Sequence, residues 1–430
     1  MINTKKKVVC YSYSLNGVQD ADAMGYLRIV APYTNADYEI IPGIENNEIK
    51  IHPIEFSDIV IIQRNFPNNF SKYTQVIENA RYYQKPVIFD IDDLFFFLPE
   101  NHPDRLNHTF TSSLLPIFQA IMEANYVTVT TPRLKQALDQ LNPNIEVLPN
   151  YLDDNIWKLR NPVLDKNNSM DIVIGYMGTN SHQADLIYIF PVLKDLLFTY
   201  PNRVKFRFWG IKPPEDFLSN PNVEWIPFYS LDYQQFAHFF QTQQADIFIS
   251  PLLNNEFNEC KSPLKFLEYS SLGVPGVYSS IEPYSNIIDN RTTGLLAQSL
   301  EDWKECLVEL IEKPDFRFEL AQNALVFLKD NWLLSRNKQI IENILQKVTL
   351  PLKIVNQNPL EVINSINKQN HDFMDHLNKM IFVNDQKIDQ LEKENQQMID
   401  EILTYYLSKS WQFTRPLRKI RRLYLRKKND

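Results

Sequence analysis

The chain has 430 residues, 44% hydrophobic and 22% charged, with a net charge of −8. That composition excludes an intrinsically disordered chain, and at roughly 100–200 residues per domain the length implies two or three domains. Nine glycines, about 2% against an average near 7%, exclude collagen-like and Gly/Ser-linker architectures, and no Walker-type GxxxxGK[ST] loop is present.

Met1–Lys7 is basic, but the apolar stretch Val8–Cys10 is too short for a signal-peptide core, and no run approaches the ~18 apolar residues of a membrane span. Residues 1–160 alternate apolar runs with amphipathic ones. KVVCYSYS, DIVIIQR, PVIFDID, YVTVTT and IEVLPN read as buried strands, with helices at Tyr73–Tyr83 and Leu114–Ala124 between them. This alternation predicts a parallel sheet covered on both faces. Residues 161–171 read as a linker.

A second alternating block occupies 172–352. Its strands are DIVIGYMG, VKFRFWG, VEWIPF, ADIFISP and PGVYSS; its helices are Ala184–Thr199, Tyr233–Gln241, Ser262–Leu272, Leu300–Ile311 and Phe316–Asn331. The expected fold class is α/β, two Rossmann-like doubly wound domains facing a cleft. Such sheets bind ligands beyond the carboxyl ends of their strands.

Residues 353–407 are expected to form a coiled-coil helix, in which the apolar spacing becomes 4-3 from Met374. Ile381, Ile388, Asn395 and Ile402 take position a, and Leu377, Asn384, Leu391, Met398 and Tyr405 position d. This favours a parallel two-stranded coiled coil and hence a homodimer; the bland alternative is one helix packing on its own body. Residues 408–430 hold nine basic residues and one acidic, +8, which leaves −16 for the rest. A body that acidic repels nucleic acid. The tail, with Leu417, Ile420 and Tyr424 on one stripe, suits an anionic membrane surface.

Three scattered cysteines (Cys10, Cys260, Cys306) fit a reducing compartment, and the histidines form no HExxH. The expectation is a cytoplasmic protein, peripheral at the inner face of the plasma membrane, with no cofactor and no metal.

Two segments carry chemistry. In GYMGTNSHQADL (175–186) a strand runs into Gly178 and Thr179 before a helix, an arrangement that suits a phosphate; an ordinary turn with Ser181 as N-cap is the alternative. In ECKSPLKFLEYSSLGVPGVYS (259–279), Lys261, Lys265 and Glu268 have spacing to share one helix face. Two ammonium groups offset phosphate charge while a carboxylate accepts two sugar hydroxyls; a solvated salt-bridged face is the alternative. The tetrad Asp90-Ile91-Asp92-Asp93 suits acceptor hydroxyls at a strand end, with a structural turn or a divalent metal as rivals. His102 and His108 are isolated; His182 opens the helix beside the phosphate turn.

SPLKFLEYSSLGVPGVYSS resembles the signature region of group-1 (family four) glycosyltransferases of the GT-B fold, and EPYSNIIDNRTTGLL is similar to another stretch of that family. GYLRIVAP, PVIFDIDDLFFFLPENHPD and SWQFTRPLRK resemble their acceptor-side domain and tail. The resemblance implies a metal-independent retaining glycosyltransferase in cell-surface polysaccharide assembly. Its donor is a nucleotide-sugar and its acceptor a glycan or lipid-linked glycan. Gly17, Gly178, Thr179, Lys261, Ser262, Lys265 and Glu268 are the expected donor-binding residues, and Asp92, Asp93 and His182 the expected catalytic ones. The sequence departs from the family at Cys260, where the first Glu of an EX7E pair belongs, and lacks the usual Arg and Lys after the first donor-side strand. The implied alternative is a catalytically impaired scaffold of a polysaccharide assembly complex. A nucleotide-sugar epimerase is a third reading.

Overall fold

The computed structural model describes residues 5–15, 17–18, 20–164, 171–228, 232–348, 357–407, 413–414 and 416–419. The chain divides into two units, 1–364 and 365–430.

Strands β1 (Lys7–Tyr11), β2 (Glu39–Pro42), β3 (Ile59–Gln63), β4 (Val87–Ile91), β5 (Tyr126–Val129) and β6 (Ile145–Val147) form a parallel sheet ordered β2-β1-β3-β4-β5-β6. Every residue of β3 and β4 is buried, so these strands read as continuous runs rather than alternating ones. Helix α1 (Phe70–Tyr82) buries Tyr73, Val76, Ile77 and Ala80, one stripe at helical spacing, in the same core as Val60, Ile62 and Phe89. Helix α2 (Leu114–Glu123) adds Ile117, Ala120 and Ile121.

The second sheet repeats the plan. Strands β7 (Ile172–Gly178), β8 (Val204–Gly210), β9 (Val223–Ile226), β10 (Ile247–Ser250), β11 (Gly276–Ser279) and β12 (Leu295–Ala297) run parallel in the order β9-β8-β7-β10-β11-β12. Helices α3 (Gln183–Thr199) and α6 (Leu300–Glu312) pack Leu186, Ile189, Leu193, Trp303 and Leu307 on one face. On the other lie α4 (Tyr233–Gln241), α5 (Leu264–Ser271) and α7 (Pro314–Asn331), whose Phe240, Phe266 and Ala324 share a core with Trp209 and Phe248.

Both expected Rossmann-like halves are present, and two edge strands exceed the expectation. EIIP of β2 is partly exposed and ends at a proline, and β12 is three residues long, beginning within TGLL and ending at Ala297, so neither presents the long buried apolar run that marks an inner strand. Helix α8 (Lys338–Lys347) packs on the first half: Lys338 pairs with Asp37, Lys347 with Glu146 at 2.8 Å, and Ile341, Ile344 and Leu345 join the core of Tyr33 and Tyr38. The expected linker begins against the second half, where the Arg160 amide donates to the Ser271 carbonyl over 2.8 Å; residues 165–170 lie outside the described residues.

Helix α9 spans Gln357–Leu407. In the second unit, the expected core positions Ile381, Ile388, Leu391, Met398 and Ile402 are all more than half exposed. Most of the tail, including Ile420 and Tyr424, lies outside the described residues; Phe413 and Leu417 are exposed. Among the described residues no helix is long and apolar enough to cross a membrane.

Candidate active site

The carboxyl ends of both sheets open on one cleft of about 680 Å³. The segments after β1, β3, β4 and β5 supply Asp22, Arg64, Asp92, Asp93 and Thr130; the ends of β7 and β8 and the segment after β10 supply Gly178, Gly210 and Leu252. Ligands in doubly wound sheets bind at these ends because the strand order reverses there and leaves a crevice.

Gly178 and Gly210 are partners on neighbouring strands. Gly210 has φ +82°, and a Cβ there would stand 2.5 Å from the Gly178 carbonyl oxygen, so the floor of the turn admits only glycine. The turn that follows leads through Thr179 into α3. Ser181 does not cap this helix; its hydroxyl and that of Thr179 share a hydrogen bond of 2.8 Å. His182 lines the cleft and its Nδ1 lies 3.0 Å from Asp185 Oδ2. Burial, together with the nearby Lys265 and Lys261 charges, pushes the imidazole down to about 3, so it is neutral.

Lys265 and Glu268 sit in the first two turns of α5, while Lys261 lies in the turn before it; the expectation of one shared helix face holds for the last two only. All three line the cleft, as does Ser262. Ser262 Oγ, Lys265 Nζ and Glu268 Oε2 are buried without a hydrogen-bond partner. A solvated salt-bridged face is therefore the wrong description. Buried polar atoms without partners are rare in folded proteins, and three around one opening mark a place for a polar ligand. Burial raises Glu268 to about 8, against the opposing hydrogen bond from Tyr233 and the Lys265 charge. Burial likewise lowers Lys265 to about 8. The Lys265 ammonium lies 5.2 Å from the Tyr176 ring and that of Lys261 4.4 Å from Phe257, so aromatic faces hold both cations at the opening.

The opposite wall divides the aspartate tetrad by role. Asp90 is buried and accepts from Arg28 Nη2 at 2.8 Å, Thr128 Oγ1 at 2.7 Å and Gln63 Nε2 at 3.2 Å. Arg28 is itself fully buried and also bonds Asn150 and the Leu148 carbonyl, so this pair braces the sheet rather than meeting a ligand. Asp92 and Asp93 face the cleft. Asp92 lies 3.1 Å from Arg64 Nε; burial raises its carboxyl, and Arg64 only partly offsets this. Arg64 stacks over Phe95 and Phe110, at 5.1 and 5.7 Å. Among the described residues no three His, Cys, Asp or Glu side chains are grouped to hold a metal.

Nine of the ten expected site residues thus meet in one cleft. Gly17 is the exception; it lies in the loop after β1 and does not line the opening. His102 is not isolated as expected. It lines the cleft, its Nδ1 accepts the Asp104 amide at 3.2 Å, and its Nε2 is buried without a partner. Arg64, Tyr233 and the rings Phe228, Phe236 and Phe239 belong to the lining without any sequence signal, since their contacts cross between distant segments. Cys260 is buried and outside the lining, and Glu259 is turned away to Arg133 at 3.1 Å, so no second carboxylate stands in for the departed Glu.

Residues 171–313 match the family model of group 1 glycosyl transferases. No curated protein matches the sequence significantly. Among solved structures, Anabaena HepE in complex with UDP-glucose superposes with a TM-score of 0.53 at 12% identity, over 80% of this chain and 100% of that one. Sucrose-phosphate synthase from Thermosynechococcus elongatus gives 0.58 at 11%, over 80% and 99%, and a glycosyltransferase from Rickettsia africae 0.51 at 13%, over 80% and 99%. At these identities the likeness is one of fold. Residues 171–313, which match that family model, form most of the second of two Rossmann-like halves of a GT-B fold.

Proposed function

We propose that the chain is a retaining, metal-independent glycosyltransferase that moves a sugar from a nucleotide-sugar to a glycan or lipid-linked glycan acceptor. The observation that carries this is the trio of unpartnered buried atoms at Ser262, Lys265 and Glu268, facing the same cleft as the Gly178–His182 turn. Glu268 offers a free carboxylate oxygen to ribose hydroxyls. Lys261, Lys265 and the first amides of α3 offset the charge of the departing diphosphate, which is stabilisation aimed at where charge develops. HepE was solved with UDP-glucose, which makes a uridine nucleotide the first donor to try. The acceptor belongs against Asp92, Asp93 and Arg64, and retention follows the family resemblance.

The exposed heptad positions of α9 support a parallel coiled-coil homodimer, and the nine basic residues of 408–430 support docking on anionic lipid at the inner membrane face, where cell-surface polysaccharides are assembled. A thermal-shift series with UDP-, GDP- and ADP-sugars, followed by transfer of radiolabelled sugar from the best binder, tests the central claim. Stabilisation by none of them overturns it. Cys260, buried where the family places a carboxylate, favours the scaffold alternative; donor binding without turnover would establish that reading.

A further inference from the structure

Asp185 lies outside the cleft, on the first turn of α3, yet its carboxylate is fully engaged. Oδ1 accepts the Leu253 amide and the Asn258 side-chain amide, both at 2.9 Å, and Oδ2 faces His182 Nδ1 at 3.0 Å. Asn258 is buried, and the same Nδ2 also donates to the Leu253 carbonyl at 2.9 Å, so its orientation is fixed by two acceptors. Burial raises the Asp185 carboxyl, but the bonds from His182 and Leu253 and the Lys261 charge prevail and hold it below the ordinary range. An ionised carboxylate only accepts hydrogen bonds. His182 Nδ1 must then carry the hydrogen, and in a neutral ring Nε2 keeps a lone pair.

We infer that Asp185 is a positioning residue that locks His182 in the tautomer whose Nε2 lone pair faces the cleft, where it accepts a hydroxyl of the sugar being transferred. The inference rests on the donor-binding reading proposed above and gives His182 a specific part in it. A diphosphate oxygen is itself an acceptor and gains nothing from that lone pair; a sugar hydroxyl is a donor that matches it. His182 is too weak a base to deprotonate an acceptor, so its contribution is orientation and sugar recognition.

The substitution Asp185→Asn inverts the device without removing it. Both partners of Oδ1 are donors, so the amide oxygen stays with Leu253 and Asn258, and the NH2 group faces His182 Nδ1. The imidazole must then accept at Nδ1 and place its N–H at Nε2. Nitrogen NMR of the histidine-labelled wild-type chain should show His182 protonated at Nδ1, and D185N should show it at Nε2. Titrations with UDP against UDP-glucose, and GDP against GDP-mannose, are expected to show the nucleotide-sugar weakened by about tenfold or more in D185N while the nucleoside diphosphate is unchanged. A wild-type ring protonated at Nε2 overturns the inference, as does equal weakening of both ligands in D185N. If D185N does not fold, the wild-type spectrum together with the same ligand comparison in His182→Phe decides it. Should neither pair bind the wild type, the donor-binding reading fails with it, whereas binding with the wrong tautomer refutes the inference alone.

Discussion

The Tyr233 hydroxyl donates to Glu268 Oε1 over 3.0 Å, joining helices α4 and α5 and leaving Oε2 as the carboxylate's free end. Tyr233 is wedged between Tyr26 and Trp157, with ring centroids 5.5 and 6.4 Å away, so it holds the carboxylate at a fixed angle. Glu268→Gln is expected to weaken donor binding by about tenfold, because an NH2 group in place of Oε2 cannot accept a ribose hydroxyl and leaves that donor unsatisfied, a loss of ~1–3 kcal/mol. Tyr233→Phe should cost less, since it frees Glu268 without removing it. Calorimetric titration of both variants checks the order; equal losses would point to a structural part for Glu268.

The lysines should separate phosphate from base. Replacing Lys261 and Lys265 together with Ala is expected to lower affinity for a nucleoside diphosphate by one to two orders of magnitude and leave the nucleoside nearly unaffected, since two ~1.5 kcal/mol charge contacts are lost. Titrating the double variant with both ligands reads this directly. Parallel weakening would place the neutralising charge elsewhere.

Burying Glu268 and Lys265 carries a stability cost with a defined pH profile. Glu268 is raised from 4.5 to about 8, so between those values the unfolded chain releases a proton that the folded chain keeps, and stability falls as pH rises. Lys265 is lowered from 10.5 to about 8, so above pH 8 the unfolded chain keeps a proton that the folded chain has lost, and stability recovers. The two windows meet near pH 8. Thermal melts of Glu268→Gln should therefore exceed wild type by a few degrees at pH 8, with the gain shrinking toward pH 5. A gain independent of pH would rule out the ionisation as its source.

The aspartates of the tetrad should part company. Asp90→Ala leaves Arg28 buried without its partner, and removing one member of a buried ion pair costs about 3–5 kcal/mol. Asp92→Asn and Asp93→Asn are expected to keep the fold and the donor affinity while lowering transfer to the acceptor. Urea unfolding beside a comparison of donor hydrolysis with transfer distinguishes the two classes.

The proposed coiled coil and the proposed lipid contact are separable by mutation. Ile388→Asp places a charge at a core position of the proposed coil and is expected to convert the proposed dimer to a monomer in sedimentation equilibrium. Deleting 408–430 should abolish sedimentation with anionic vesicles and leave neutral vesicles unaffected, because each basic residue near such a surface contributes ~1 kcal/mol. An unchanged pellet after deletion refutes the lipid contact.

Much of this protein is written in local pattern. Continuous apolar runs at β1, β3, β4, β7 and β10 can be satisfied only between two covering layers, so the sequence alone determines two parallel sheets and, through Gly178 and the LKFLEY helix, one wall of the cleft. Residues that act through neighbours close in sequence were legible for the same reason. Tertiary structure decided what depends on packing between distant segments. It separated Asp90, tied to Arg28 across 62 positions, from Asp92 and Asp93, which share its motif but face the opening. It brought Tyr233, Arg64 and His102 to the site and left Gly17 outside, and it turned Glu259 away toward Arg133. Burial made the final distinction: identical spacing would place Lys265 and Glu268 on a wet helix face, and only the fold withdraws Lys265 Nζ and Glu268 Oε2 from water without giving those two atoms partners.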